Sequence, residues 1–445
     1  MSSKPESTGL KKVLRPIHLW AIAVGLVISG EYFGWNYGWE VSGTVGFLLA
    51  TLVITVMYIT FIFSFTELTS AIPHAGGPFA YSYRAFGFMG GFIAGYATLV
   101  EFLFAPPAIA LALSSYLHFL HPAIPVLPSA IVCFVIFIGI NLLGIKESAI
   151  FSLVVTLLAV AELLLYMGLV GPAFESETFL SDPMPFGVSG IFAALPFAIW
   201  FYLAIEGVAM VAEEVEEPKK NIPKGYIYSL ITLVLLALGV MILTGGVSHW
   251  QNLSSIDYPL PEALGIVLGK DNSWTKLFAS IGLFGLIASF HGIIIGYSRQ
   301  LFALSRAGYL PGFMAQVNKK FRTPHWALIG GGVVGCVALL TGTTDQVIIM
   351  SVLGAVLMYI ISMISLFALR KKEPNLERPF KAPFYPWFPA IALILCVVSL
   401  IAIIWYNLLI SIIFFAALFV TMGVYVVLGK HKNKIKADLL LEKEV

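Results

Sequence analysis

The chain has 445 residues, 59% of them hydrophobic and 11% charged, with a formal net charge of +2 and a mean hydropathy of +0.92. So much apolar surface among so few charges excludes a water-soluble globule and defines a polytopic membrane protein. The three cysteines (Cys133, Cys336, Cys396) stand in apolar segments with no CxxC or Cys/His cluster, which argues against a disulfide framework or a metal site.

The polar N-terminal tail, residues 1–17, leads straight into a full-length apolar run without a short apolar core and cleavage site, so no removable leader is expected. A spanning helix needs roughly 20 apolar residues. That window predicts twelve spans, at 18–41, 44–68, 87–117, 126–144, 148–171, 188–211, 226–246, 276–304, 326–342, 346–369, 386–406 and 408–428. The period-2 alternation of a β-barrel is absent, so the expectation is an all-α membrane protein. The tail from 429 to 445 is short and mixed in charge.

Twelve spans put both termini and the connections after spans 2, 4, 6, 8 and 10 on one side of the membrane. That side collects 24 of the 26 Lys and Arg residues, leaving only Lys270 and Lys276 opposite. The bias supports the span count and predicts a multi-pass protein of the cell membrane with cytoplasmic N- and C-termini. The main external segments are then GPAFESETFLSDPMPFG after span 5 and residues 247–275 after span 7.

Two spans carry a carboxylate inside helix-weakening sequence. Span 1 contains VISGEYFGWNYGWE (27–40), with Glu31 among Gly30, Gly34 and Gly38 and the aromatics Tyr32, Phe33, Trp35 and Tyr37. Span 6 contains Pro196 and, near its middle, Glu206-Gly207. Glycine costs about 1 kcal/mol inside a helix and proline about 3, so both segments are expected to unwind there. Unwound backbone at membrane depth is tolerated where it lines a cavity or is buried in protein, and an ionisable residue there marks a functional site. Spans 1 and 6 hold matching places if the chain comprises two five-helix units, 18–171 and 188–369, followed by two additional helices over 386–428. The odd number of spans per unit inverts the second, and paired interrupted helices then point to a transporter's central site.

Several segments resemble the amino acid–polyamine–organocation transporters. ELTSAIPHAGGPFAYSYRAFG (67–87) is similar to their Pro-x-x-Gly-Gly-x-Tyr signature, and AEEVEEPKKNIPKG (212–225) to their Ala-Glu-Glu-x-x-x-Pro-x-x-x-Ile-Pro motif. YSRQLFALSRAGYLP (297–311), FRTPHWAL (321–328) and RPFKAPFYP (378–386) extend the match over most of the chain. Within the superfamily, GEYFGWNYGW and IKESAIFSLV look most like the ethanolamine permease branch. The resemblance implies the leucine-transporter fold, a 5+5 inverted repeat plus two helices, working by alternating access. It also sharpens Glu31. Amino-acid-carrying relatives break span 1 at a Gly-x-Gly-Ile-Phe-Gly-like sequence whose bare amides hold the substrate carboxylate. Laying SGEYFG (29–34) on that pattern puts Glu31 at the second glycine. A carboxylate there repels the substrate's own carboxylate and suits an ammonium.

The candidate substrate-binding residues are therefore Gly30, Glu31, Tyr32, Gly34, Glu101, Trp200, Tyr202 and Glu206. Glu31 is read as a counter-ion for substrate ammonium, with Tyr32 or Trp35 adding cation–π attraction; the structural alternative is a carboxylate that only accepts hydrogen bonds from freed helix amides. Trp200 and Glu206 stand at the same spacing as the aromatic gate and acidic sensor of arginine–agmatine exchangers. Glu101, in span 3, resembles a glutamate of the cationic-amino-acid branch. Glu162 and His291 are coupling candidates: the resemblance places Ala159 where proton-coupled relatives often carry a lysine, with Glu162 one turn along, and a histidine's pKa suits proton handling. The bland reading of each is a satisfied, structural polar group. Glu213, Glu214, Glu216 and Glu217 are expected to pair with basic residues on the same face.

No cofactor is expected; coupling to H+ or Na+, uniport and exchange are all left open, because the lysine of proton-coupled relatives is replaced by Ala159. The partners are a small amine and the lipid bilayer, with no nucleic acid. The reading is a secondary transporter for ethanolamine or a similar primary amine. The alternatives are a proton-linked permease for an amino acid or another amine, and a transporter-like amine sensor. An enzyme is not expected, since no nucleophile–base pair or phosphate loop stands out.

Overall fold

The computed structural model describes residues 12–74, 76–144 and 149–427. Most of the N-terminal tail, residue 75, Lys146 with its neighbours in the IKES segment, and the C-terminal tail lie outside the described residues. Among the described residues every regular element is helical, and the one β feature is an isolated bridge between Leu14 and Val215. Backbone in lipid must satisfy its own polar groups, and the apolar runs do so as helices. Nine described helices are long and apolar enough to cross a membrane. Spans 4 and 9 are shorter, Val126–Leu142 and His325–Thr341, at 17 residues each. Span 1 is built from pieces, the first being Pro16–Val27. The expected all-helical, multi-span architecture is therefore what the chain forms.

Two corners explain where the observed helices and the expected spans differ. Tyr37–Ala71 turns sharply at Gly43 (φ 68°, ψ −178°), so its first turns complete span 1 and the rest is span 2. A side chain at Gly43 would lie 2.6 Å from Pro185, so only glycine fits the corner. Pro78–Leu120 turns in the same way at Gly87 (φ 65°), separating a short leading helix from span 3.

Ionic and backbone ties close the face that carries residue 12. Glu67, buried at the end of span 2, accepts from Nε and Nη2 of Arg370 at 2.7 and 2.6 Å and from the Ala382 amide at 2.7 Å, and lies 3.2 Å from the Arg378 Nε. These join spans 2 and 10 to the connection before span 11. Arg84 holds Glu373 through two nitrogens. The expected pairing of the acidic run is seen as Arg15–Glu216 at 3.2 Å, Arg299–Glu214 at 3.8 Å and Lys220–Glu217 at 2.8 Å.

On the opposite face, Asp257 of the connection after span 7 accepts from Tyr37 at 2.7 Å and Thr344 at 2.9 Å. It thereby fastens the outer piece of span 1 to span 10. Burial pushes the Asp257 carboxyl above the usual carboxylate range, against the opposing pull of these two bonds.

Removing a buried carboxylate leaves its guanidinium partners uncompensated. Glu67→Ala should therefore cost about 3–5 kcal/mol and lower the apparent Tm of the purified protein markedly. Glu373→Ala, which breaks a half-exposed pair, should lower it far less. Equal shifts for the two variants would contradict the assignment of Glu67 as the main tie on this face.

Candidate functional site

Span 1 is helical to Val27, makes one further turn over Ser29–Tyr32, and then opens. Phe33 is extended, Gly34 has φ +90°, and the helix resumes at Tyr37. Opening frees the carbonyls of the last turn at a depth where water cannot take them. Ring donors satisfy three in succession. Trp35 Nε1 donates to the Glu31 carbonyl at 3.1 Å, the Tyr116 hydroxyl to that of Tyr32 at 3.2 Å, and Trp200 Nε1 to that of Phe33 at 3.0 Å. The Gly34 amide donates to Asn36 Oδ1 at 3.0 Å, while Asn36 Nδ2 donates to the Leu253 and Ile256 carbonyls at 2.7 and 2.8 Å. Two of the aromatics that cap the break, Tyr116 and Trp200, come from other spans.

Span 6 is a helix over Gly187–Trp200 that leaves helical geometry at residues 201–204 and continues as a 3-10 helix, Ile205–Glu214. The sequence pointed to Pro196 and to Glu206-Gly207 as the weak points, and the break falls between them. Proline disrupts bonding one turn before itself, so the helix continues for a further turn beyond Pro196. Ala204, not a glycine, then adopts the left-handed conformation (φ 73°, ψ 8°), a strain of about 1–2 kcal/mol.

The two breaks lie against each other. A side chain at Gly30 would sit 2.5 Å from the Trp200 carbonyl, and one at Gly34 2.5 Å from Trp200 Nε1. The two glycines bracket Trp200, whose ring meets Phe33 edge-on at 5.7 Å. The space beside Gly30, Ala105, Trp200 and Leu203 amounts to about 10 Å³, room for one water at most.

Glu31 is completely buried in the last turn before the break, and among the described residues neither of its carboxyl oxygens receives a hydrogen. No freed amide of a described residue donates to this carboxyl. Tyr202 is an electrostatic neighbour of Glu31, and its hydroxyl bonds Thr55 at 2.7 Å.

Glu206 and Glu101 are both fully buried, and a side chain at the adjoining Gly207 would lie 3.5 Å from the Phe102 ring. The Tyr359 hydroxyl donates to Glu206 Oε2 at 3.2 Å and lies 2.9 Å from that of Tyr58. Tyr32 turns toward spans 5 and 8. Its hydroxyl donates to Glu162 Oε2 at 2.7 Å and reaches the Ala159 carbonyl at 3.4 Å, with its ring over Gly285. His291 pairs with Asn141 of span 4 at 3.1 Å. The structure thus gathers Gly30, Glu31, Gly34, Trp200 and Tyr202 at the crossing of the breaks. It joins Tyr32 to Glu162 and Tyr359 to Glu206, and sets His291 between spans 8 and 4.

Sequence reasoning missed Asn36, Tyr116 and Tyr359. Asn36 carried a signal, being an amide inside an apolar span; the two tyrosines carried none beyond a hydroxyl that a buried ring must satisfy. Among the described residues no group of three or more His, Cys, Asp or Glu is placed to hold a metal ion.

A family model for amino acid permeases matches residues 14–428. The chain belongs to the amino acid permease family. It is similar to an uncharacterized transporter of Rhizobium meliloti, 28% identical over 90% of this chain and 88% of the relative. The methylthioribose transporter of Bacillus subtilis is 29% identical over 89% of each chain. The branched-chain amino acid permease of the same organism is 24% identical over 96% of this chain and 95% of its own. The protein is accordingly a membrane transporter rather than an enzyme. These comparisons reach the family and not the ethanolamine branch. In this permease two of the family-like segments meet physically, since Glu67 opens the first and Arg378 the last.

Gly30→Ala should overpack the crossing, at a cost of about 1–3 kcal/mol, lowering both apparent Tm and ligand binding. Gly168 has open space on its side-chain face, with no neighbour within 4 Å of where a methyl group would stand, so Gly168→Ala should be neutral or slightly stabilising. Matching behaviour of the two variants would contradict the close approach of spans 1 and 6.

Proposed function

We propose that this permease carries a small primary amine lacking a carboxylate, ethanolamine or a close analogue, inward across the cell membrane by alternating access. Its termini would lie in the cytoplasm, as the distribution of Lys and Arg supports. The observation that carries this reading is the Glu31 carboxyl. It is fully buried and unpartnered at the crossing of two interrupted helices, and a lone buried carboxylate is costly unless a cation accompanies it. A substrate ammonium would be that cation. Tyr202 lies on the same side, and Trp200 would occlude the site between Gly30 and Gly34. The matched breaks in spans 1 and 6 support the two inverted five-helix units, 18–171 and 188–369, around a central site.

A second reading is an amino acid permease, favoured by relatives named for branched-chain, cationic and aromatic amino acids. Against it stands the like-charge repulsion between Glu31 and a substrate carboxylate. The methylthioribose transporter shows by its name that such relatives are not confined to amino acids.

The test is radiolabelled ethanolamine uptake into proteoliposomes. Wild-type uptake should be inhibited by unlabelled ethanolamine and not by alanine, arginine or putrescine. Glu31→Gln should weaken binding by about 1.5–3 kcal/mol, on the order of ten- to a hundredfold, while the protein still inserts. Near-wild-type uptake by Glu31→Gln would overturn the counter-ion role. Inhibition by alanine in place of ethanolamine would favour the second reading. Thermal stabilisation by ethanolamine without any counterflow would make the protein an amine sensor.

A further inference from the structure

The connection from span 8 to span 9 carries a cluster of cations that the proposed amine site does not use. Between Asp271 and Asp345 the chain contains no Asp or Glu, yet this connection holds Lys319, Lys320 and Arg322. The face that carries residue 12 is otherwise rich in ion pairs, with Glu67, Glu214, Glu216, Glu217, Glu373 and Glu377 each beside a Lys or Arg. Lys319, Lys320 and Arg322 are exposed and form no ion pair with a described residue. Exposed cations are often merely solvated. Two features of the structure set these apart.

The first is that they stand on a fixed turn. The Asn318 amide donates to the Thr323 carbonyl at 2.9 Å, and the Asn318 carbonyl accepts from the Arg322 amide at 2.8 Å. Its side-chain Oδ1 accepts the amides of Lys320 and Phe321 at 2.9 and 3.1 Å. The Thr323 hydroxyl donates to the Leu142 carbonyl at 3.1 Å, and a side chain at Gly144 would lie 2.6 Å from the Phe321 carbonyl. The turn is therefore seated on the end of span 4. It then runs directly into span 9, with the His325 amide donating to the Thr323 carbonyl at 3.0 Å.

The second is an apolar surface that begins where the turn ends. Trp326, Ile329, Val333, Val337 and Leu340 of span 9 are all exposed, and their spacing places them on one stripe of the helix. At the head of the stripe Trp326 meets Phe313 edge-on at 6.0 Å, and Phe313 and Val317 are themselves 46 and 45% exposed. Tryptophan at the end of a span sits at the level of the lipid headgroups, so the stripe continues from there into the acyl region. Cations at the headgroup level and an apolar stripe below them call for a ligand with an anionic head and an apolar tail. A soluble anion would leave the rings uncovered, and a neutral lipid would leave the three cations without a counter-charge.

We propose that the connection between spans 8 and 9 is a binding surface for an anionic phospholipid of the adjoining leaflet. Lys319, Lys320 and Arg322 hold the headgroup phosphate, and an acyl chain lies along span 9 from Trp326. Because the turn is bonded to span 4 and opens span 9, the bound lipid fastens both spans to the membrane interface. The surface depends neither on the identity of the substrate nor on which side of the membrane it faces.

Native mass spectrometry of the purified permease in neutral detergent, with phosphatidylglycerol or phosphatidylcholine added, reads this surface. The wild type should retain phosphatidylglycerol in preference to phosphatidylcholine. The variant Lys319→Gln/Lys320→Gln/Arg322→Gln should lose that preference, by about fivefold in affinity for each charge removed. The variant Lys219→Gln/Lys220→Gln/Lys224→Gln removes three charges from the same face and should retain the lipid as the wild type does. Equal loss in both variants would reduce the effect to the overall charge of the face and overturn the site, as would equal retention of the two lipids by the wild type. Inorganic phosphate should leave the apparent Tm unchanged at concentrations where phosphatidylglycerol raises it; an equal rise would assign a soluble anion and overturn the lipid. Should the charge variant fail to fold, phosphatidylglycerol brominated on its acyl chains tests the same surface. It should quench tryptophan emission more than brominated phosphatidylcholine does, and the excess should vanish in Trp326→Phe. An excess that survives that substitution would overturn the placement of the chain.

Discussion

The architecture depends on how the opened backbone of span 1 is satisfied. Breaking a helix at membrane depth frees carbonyls that neither water nor lipid can take, and three consecutive ones here receive Trp35, Tyr116 and Trp200. Two of those donors belong to spans 3 and 6, so the break is a joint held by its neighbours. Trp200 has two functions in this joint. Its indole N–H caps the Phe33 carbonyl, and its ring and backbone fill the space left by Gly34 and Gly30.

Against that background the unsatisfied groups stand out. The Glu31, Tyr32 and Phe33 carbonyls and the Gly34 amide are paired, while the Glu31 carboxyl has no donor among the described residues. Glu162, by contrast, holds the Tyr32 hydroxyl, and Glu67 is saturated by two arginines and an amide. The buried acids of this permease thus fall into two kinds. Glu67, Glu162 and Glu206 accept hydrogen bonds that tie spans together, whereas Glu31 and Glu101 receive none from the described residues.

Much of this was legible in the sequence, because the lipid environment imposes simple rules. Apolar run length gave the spans, and Glu31 stood out as a charge within one of them. Gly34 marked a place where only glycine fits, whereas Gly43, which no sequence pattern singled out, turns span 1 into span 2 with no loop at all. The sequence places the span 6 break at Glu206-Gly207, and the backbone departs just before that pair. The departure falls at Ala204, which has no local signature and whose strain is held in place by tertiary contacts. The partner of the Tyr32 hydroxyl, Glu162 of span 5, lies 130 residues away and no local pattern announced it. Tyr116 and Tyr359 were invisible because their partners are 84 and 153 residues away, and no local pattern encodes that meeting.

The central claim is that Glu31 selects for an ammonium and against a carboxylate. Ethanolamine and serine isolate this, because serine is ethanolamine with a carboxylate added, and ethylene glycol completes the series by replacing the ammonium with a second hydroxyl. Isothermal titration of all three into the purified permease is the most direct measurement. The account predicts binding of ethanolamine and no measurable heat from serine or ethylene glycol. Serine binding as tightly as ethanolamine, or more tightly, would contradict it.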